Sequence, residues 1–500
     1  MRKSRKEMLL IIFLFVLSIS FRFFLGLWFP VNSDSLWYYS IAKYTARNRE
    51  MPLNTPEIGR MPHWNPPYSM LLFTSFYSLL GVIGMKLINP IFGSLTIFLV
   101  YLFTKGFIDK KYALISSLFF SFFPTHLHYS GTAYTEIPLA FFMMLGFYSF
   151  LKLLKKWEMK YVLLTIVSLS FCMTIKYIGL VVFPVIFIVG LKERPKLKFR
   201  ITFLILTLAF LLGSFWYLRN LVIFNDPLYP FFLKEFPSYE SSLSNFFSLN
   251  SFLKSFTSFW GLLGGELNYL YKILNELGFL AYGIPFWIGL TSLLTLVIIL
   301  GMIKLFEKYR KVVFLLLLNF LFLLLFFLSW SWKMGAWDSR ILIPSLPFFS
   351  ISIGCFLYNK RRLGIFLLLG LVCLSITQEI VAGVAYHKIL KKRHEDSLNW
   401  IEENVSNNEV ILYPIIYSSF ITYHTGKKAV GLYNTPFAPK DIEINELCQK
   451  NITYILIDGW VKSFEDQYSE LEPKIRRLIE SDRLISVFQK EKINIYKVLC

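Results

Sequence analysis

Charge is what this sequence has least of. Asp, Glu, Lys and Arg make up 17% of its 500 residues, against roughly 25% in an ordinary soluble domain. That shortage excludes a soluble globular enzyme, a coiled coil and a disordered chain. Cysteine is sparse too. The five thiols (Cys172, Cys355, Cys373, Cys448, Cys500) form no Cys-x-x-Cys pair and no Cys/His ligand spacing, so neither a disulfide framework nor a zinc site is suggested. Also missing are a phosphate-cradling Walker A loop, the GxGxxG dinucleotide fingerprint, HExxH and GxSxG, which leaves a nucleotide-driven pump or a hydrolase of those types unsupported. No internal repeat or low-complexity linker is evident. Apolar side chains, by contrast, are abundant. They make up 55% of the chain and aromatics 18%, with a mean hydropathy of +0.53. The composition is that of a polytopic membrane protein.

The first apolar run, Met8–Trp28, follows Arg2, Lys3, Arg5 and Lys6. It has no small-residue cleavage site and more spans follow, so it reads as a first transmembrane helix rather than a signal peptide. Further spans are expected at Leu87–Thr104, Tyr112–Pro124, Tyr134–Leu154, Tyr161–Ile175, Tyr177–Gly190, Ile201–Leu221, Phe279–Ile303, Val312–Trp330, Ile341–Tyr358 and Leu363–Ala385. The segment Pro67–Gly84 is apolar enough to cross but carries Ser69, Thr74, Ser75, Tyr77 and Ser78. Laid along the outer surface, it leaves the loops Met1–Glu7, Lys105–Lys111, Lys152–Lys160, Leu191–Arg200, Lys304–Lys311 and Asn359–Arg362 on one side. Those loops hold 23 Lys and Arg against five acids. Basic loops stay cytoplasmic, so the reading is about eleven spans with the N-terminus inside and the C-terminus outside.

Three regions then lie outside: the loops 29–84 and 224–278, and the tail His387–Cys500. Residues 1–386 form the membrane domain. The tail alternates helical patterns (Ser397–Asn404, Lys440–Lys450, Tyr468–Ile479) with short β-rich runs (Val410–Tyr413, Tyr454–Ile457, Leu484–Phe488, Ile493–Val498), the pattern of a small α/β domain. Its triplets Asn404-Val405-Ser406 and Asn451-Ile452-Thr453 match the glycosylation sequon, which also arises by chance. The tail holds 16 basic and 16 acidic residues, so the whole formal charge of +20 belongs to residues 1–386. Most of it sits in the inside loops. It is a topology signal rather than a sign of nucleic acid.

A few polar residues stand at the outer ends of spans. Asp34, in Asn32-Ser33-Asp34-Ser35-Leu36-Trp37-Tyr38-Tyr39, could serve as a general base; the alternative is a helix N-cap. Glu136 opens the fourth span, where an acid is either shallow and favoured by the helix dipole or kept for a purpose. Lys176 interrupts Ile175-Lys176-Tyr177-Ile178-Gly179. A lysine there snorkels or binds a phosphate as a point charge. Arg340, in Asp338-Ser339-Arg340-Ile341-Leu342-Ile343-Pro344, suits capture of phosphate oxygens or anchors the interface beside Asp338. Lys333 is a second cation nearby. His63 precedes Asn65-Pro66-Pro67 and could orient a ligand, though a loop histidine is often only solvated. Arg219 and Asn220 close the seventh span within Trp216-Tyr217-Leu218-Arg219-Asn220, where they read as cap and anchor.

Taken in order, these motifs resemble the GT-C membrane glycosyltransferases, above all the branch of protein O-mannosyltransferases and the bacterial lipid A aminoarabinose transferase. The resemblance covers roughly residues 1–386. It implies transfer of a sugar from a polyprenyl-phosphate (dolichyl-phosphate) carrier, on the extracytoplasmic face, to a hydroxyl of a protein, lipid or glycan. It implies Asp34 as the first-loop catalytic acid, Glu136 as a second, usually Asp, and Lys176 and Arg340 near the carrier phosphate, with Lys333 as a further candidate. Tyr38, His63 and Arg219 become candidate substrate-binding residues. Such chemistry inverts the anomeric carbon and requires no cofactor; a divalent metal stays open. The sequence also departs from the family. Asp34-Ser35 stands where mannosyltransferases carry Asp-Glu, and Asn65 replaces the cation or His before the Pro segment. The oligosaccharyltransferase signature WWDYG is absent, and there is no lectin-like insertion. Two other readings are a flippase for lipid-linked sugars and a non-catalytic scaffold with an outer binding domain. The flippase would need charges along a through-path, whereas the residues singled out here gather at one face.

Overall fold

The computed structural model describes residues 2–29, 34–49, 67–192, 196–228, 262–263, 280–334, 339–385, 392–413, 419–431, 443–458, 473, 476–480, 482–490 and 493–500. Residues 30–33 and 50–66, His63 and Asn65 among them, and most of the loop 224–278 lie outside the described residues. The chain divides into two compact units. One comprises Met1–Phe29, Asn65–Ser69 and Lys86–Ala382; the other comprises Pro30–Trp64, Met70–Met85 and Gly383–Cys500.

The first unit is helical, as the apolar runs require, because lipid leaves backbone groups no partner outside their own segment. In chain order it holds α1 (Arg2–Trp28), the later part of α3 (Pro67–Phe107), α4 (Lys110–Ser121), α5 (Pro124–Ser130), α6 (Glu136–Lys155), α7 (Met159–Ile175), a 3-10 turn (Tyr177–Val181) and α8 (Val182–Leu191). Then follow α9 (Lys196–Gly213), α10 (Phe215–Phe224), α11 (Leu280–Lys308), α12 (Arg310–Met334), a second 3-10 turn (Ser339–Ser345), α13 (Leu346–Leu357) and α14 (Arg361–Ala385). Each of the eleven apolar runs is helical over most of its described residues. Among the described residues, six helices are long and apolar enough to cross a membrane, or seven if α9 and α10, bent by 51°, count as one. α4, at 12 residues, reaches only about 18 Å.

Local chemistry sets the ends of these helices. Asp109 caps α4, its side chain accepting from the Lys111 N–H at 3.1 Å. Pro124 opens α5, where its missing N–H costs nothing. Hydroxyls inside the apolar runs donate back to their own helix, as Thr104 does to the Val100 carbonyl (2.7 Å) and Ser116 to that of Tyr112 (2.9 Å). They therefore do not interrupt the spans. Between helices, Thr165 donates to Ser149 at 2.9 Å, joining α7 to α6. The core is dense in aromatics. Phe103, Phe119, Phe120, Phe147, Phe150 and Phe348 are all fully buried.

α3 contributes to both units and breaks at Gly81, whose φ of 62° and ψ of −147° suit a residue without a Cβ. The break falls within the amphipathic segment Pro67–Gly84, which the sequence separates from the span after it.

The second unit contains α2 (Asp34–Asn48), the first part of α3 and the α/β tail. Tyr38 of α2 stacks on Phe73 with ring centroids 5.6 Å apart, and Tyr39 meets Tyr77 and Tyr423 edge-on at 5.8 and 5.1 Å. The tail consists of α15 (Lys392–Asn404), β1 (Val410–Leu412), α16 (Ser419–Thr425), β2 (Lys428–Val430), α17 (Ile444–Gln449), β3 (Ile452–Asp458), β4 (Leu484–Lys490) and β5 (Ile493–Val498). Its sheet runs in the order β2-β1-β3-β5-β4. β1 is parallel to β2 and β3, while β5 is antiparallel to β3 and β4. Ile411, Leu412, Ile455 and Ile495 fill its core at zero exposure. Cys448 and Cys500, whose pairing the sequence leaves open, form a disulfide with Cα atoms 5.7 Å apart. α16 and β2 are additions to the sequence reading, and of the helix expected at Tyr468–Ile479 the described residues include a helical stretch at 476–480.

Candidate active site

Glu136 is the first residue of α6 and is 1% exposed. Its Oε1 receives the Lys176 ammonium at 2.5 Å and lies 3.5 Å from Nε of Arg340. The Thr135 hydroxyl is 3.4 Å from Oε2, and the Arg340 guanidinium stands over the Tyr134 ring, 5.0 Å from its centroid. Three of the sequence candidates thus converge within the helical unit. Two cations approach one carboxylate oxygen. The carboxylate is sealed, while the Lys176 and Arg340 side chains are 21% and 20% exposed. Partly exposed lysine and arginine donors side by side suit an anion with several oxygens. Glu136, expected as a second catalytic acid, is buried beside both cations.

The chain around Lys176 explains how it reaches Glu136. α7 ends at Ile175, and Lys176 is extended (φ −157°, ψ 146°) before the 3-10 turn begins. The Gly179 N–H donates to the Lys176 carbonyl at 2.8 Å. A Cβ on Gly179 would sit 1.9 Å from the Cys172 carbonyl oxygen, so only glycine lets the turn fold onto the end of α7. Gly179→Ala is expected to overpack this junction and to cost about 1–3 kcal/mol. Thermal unfolding of the purified protein measures it, and an unchanged midpoint would remove the contact from the argument.

The Trp216-Tyr217-Leu218-Arg219-Asn220 motif braces the same break. The Tyr217 hydroxyl donates to the Met173 carbonyl at 2.6 Å. The Tyr177 hydroxyl accepts from Trp216 Nε1 (3.3 Å) and Asn220 Nδ2 (3.2 Å). Arg219 donates to Asn220 Oδ1 at 3.0 Å and lies 4.5 Å from the Trp216 ring centroid. The motif reads as cap and anchor in the sequence; here it holds the interruption that presents Lys176.

A second loop positions Glu136 itself. The Asn89 amide nitrogen, fully buried on α3, faces the carbonyls of Tyr129 (3.0 Å), Tyr134 (2.8 Å) and Thr132, clamping the connection that enters α6. Below it lies a polar group that sequence reasoning passes over. Arg22 of α1, fully buried, donates to the Ser18 carbonyl (3.2 Å), to the Ser18 hydroxyl and to His126 Nδ1 (3.1 Å). His128 Nδ1 is 3.1 Å from Oε2 of the buried Glu379 on α14. These contacts tie the first and last spans to α5. The available signal was simply an Arg and a Glu inside apolar runs, since ionised groups at that depth need partners.

The remaining candidates are placed as follows. Asp34 is the first residue of α2 and belongs to the second unit; its side chain lies outside the described residues. Tyr38 is buried, with a ring face taken by Phe73. Lys333 lies in the last turn of α12, its side chain outside the described residues. His63 lies outside them altogether.

Comparison with known proteins bears on the fold. Residues 11–225 match the family described as dolichyl-phosphate-mannose-protein mannosyltransferase. No curated protein sequence matches the chain. Among solved structures, ArnT from Cupriavidus metallidurans in the apo state is 12% identical, with a TM-score of 0.66 over 99% of this chain and 98% of that one. The same protein bound to undecaprenyl phosphate gives 0.64 at 12% identity over 97% of each. The oligosaccharyltransferase AglB from Archaeoglobus fulgidus, in complex with an inhibitory peptide and a dolichol-phosphate, is 15% identical with a TM-score of 0.53 over 90% of this chain and 69% of that one. Similarity in sequence over the N-terminal part and in fold over nearly the whole length thus converge: the chain has the fold of the GT-C superfamily of membrane glycosyltransferases.

Proposed function

We propose that the chain transfers a sugar from a polyprenyl-phosphate-linked donor to an acceptor hydroxyl of a protein, lipid or glycan at the extracytoplasmic face. The observation that carries this reading is the convergence of two partly exposed cations, Lys176 and Arg340, on buried Glu136. A departing lipid phosphate gains negative charge in the transition state, and pre-oriented cations stabilise charge where it develops. Lys176 and Arg340 supply them, with Lys333 as a third. The acceptor oxygen attacks the anomeric carbon, the bond from that carbon to the phosphate oxygen breaks, and its electron pair leaves with the phosphate. The acceptor proton passes to Asp34 as general base. One displacement inverts the anomeric centre. Glu136 is a positioning residue that fixes both cations. Structures of ArnT with undecaprenyl phosphate and of AglB with a dolichol-phosphate support the donor class.

The test is a deletion strain analysed by glycan mass spectrometry. One sugar is expected to vanish, to return with the wild-type chain and to stay missing with Asp34→Asn. Full restoration by Asp34→Asn would overturn the general-base assignment, and no missing sugar in the deletion strain would overturn the enzymatic reading in favour of transport or scaffolding. The assigned face has its own check. A membrane-impermeant thiol reagent applied to intact cells is expected to label a cysteine introduced at Glu50 and to miss one at Lys110. Labelling of both would mean that Pro67–Gly84 crosses the membrane and that the later basic loops are external.

A further inference from the structure

The helical unit carries an open cavity of about 770 Å³ far from the Glu136 cluster. Glu136 opens α6 and Lys155 closes it; the 20 residues between these ends span about 30 Å. Lys155, Lys192, Lys308, Arg310 and Lys311 line the cavity, with Glu307 the one acid among its lining residues. The cations come from three of the six basic loops of the sequence. The remaining wall is apolar, including Phe107, Leu154 and Phe314.

The cations sit at the seam between that wall and the opening. Lys192 Nζ lies 3.2 Å from the Phe314 ring centroid. Lys155 Nζ lies 4.7 Å from that of Phe107 and donates to the Gly106 carbonyl at 2.8 Å. All five cationic side chains are exposed, at the depth where lysine and arginine reach headgroups from apolar stems. A topology signal requires only that basic residues flank the spans. It does not require that three separate loops bring theirs to one apolar-walled cavity. Its volume falls in the range of small-molecule sites.

We propose that this cavity binds an anionic glycerophospholipid from the leaflet on the basic face. Lys192, Arg310 and their neighbours would hold the phosphate, and the acyl chains would lie against Phe107, Leu154 and Phe314. Basic pockets between spans on the cytoplasmic side suit such headgroups, and the apolar wall distinguishes a lipid from a free anion. The inference is independent of the sugar-transfer reading.

The experiment follows the thermal unfolding midpoint of the full-length protein in detergent against added phosphatidylglycerol, phosphatidylcholine with the same acyl chains, or inorganic phosphate. Phosphatidylglycerol is expected to raise the midpoint at concentrations at least about tenfold below those needed of phosphatidylcholine. Inorganic phosphate alone is expected to have no effect. Lys192→Ala with Arg310→Ala is expected to weaken the phosphatidylglycerol response about 30-fold. The conservative pair Lys192→Arg with Arg310→Lys should retain it. Lys156→Ala with Lys160→Ala removes two charges of the same face, which pair with Glu158 at 3.0 and 2.6 Å and do not line the cavity. That control is expected to change the response less than about threefold. Equal responses to the two lipids, an equal loss in the control, or a response to inorganic phosphate alone would each overturn the proposal.

Discussion

Asp34→Asn is expected to slow sugar transfer by about 10²–10⁴-fold without lowering the unfolding midpoint. The substitution separates the two readings of this residue. Asparagine caps a helix as well as aspartate does, so if Asp34 only starts α2, the variant keeps full activity. An amide cannot take the acceptor's proton, so if Asp34 is the base, the rate falls while donor affinity, set by the Lys176 and Arg340 cluster, stays close to wild type. The readout is kcat against KM for a radiolabelled polyprenyl-phosphate sugar. A rise in KM at unchanged kcat would place Asp34 in donor binding instead.

Lys176→Met is expected to be the most destabilising single change in the cluster. It leaves Glu136, 1% exposed, with Arg340 at 3.5 Å as its remaining cation. Removing one partner of a buried ion pair costs about 3–5 kcal/mol, and the partial exposure of Lys176 places this case toward the lower end. Adding Glu136→Gln removes the stranded charge, so the double variant should regain much of the lost stability. Transfer should not return with it, because the phosphate still lacks its lysine. Thermal unfolding and donor KM together decide the matter. An unchanged midpoint in Lys176→Met, or full transfer by the double variant, would sink the role given to the pair.

Much of this was legible in the sequence, for reasons that differ by element. The eleven helical segments were visible because lipid forces an apolar run to satisfy its own backbone. The strands at Val410, Tyr454, Leu484 and Ile493 were visible as β-branched runs between turns. β2 was not: Lys428–Val430 is three residues long and exists only because β1 offers it an edge. In the site, loop charge leads the sequence reading to put Glu136 and Lys176 on one side of the membrane, and they do meet. Their direct pairing could not be foreseen, since it depends on how the turn at Gly179 meets the end of α7. The bonds from Tyr217 to Met173 and from His128 to Glu379 bridge 44 and 251 residues, and no local pattern encodes such distances.

The disulfide between Cys448 and Cys500 bears on where this protein is made. A loop of about 50 residues closed in this way removes roughly 4 kcal/mol of freedom from the unfolded tail. Such a bond persists only where thiols are not kept reduced. If the tail lies outside, as proposed above, it would complete its folding after export, with its β-sheet waiting on an oxidant that the compartment of synthesis does not provide. The bond is consistent with the proposed orientation on redox grounds, with no appeal to the distribution of lysine and arginine.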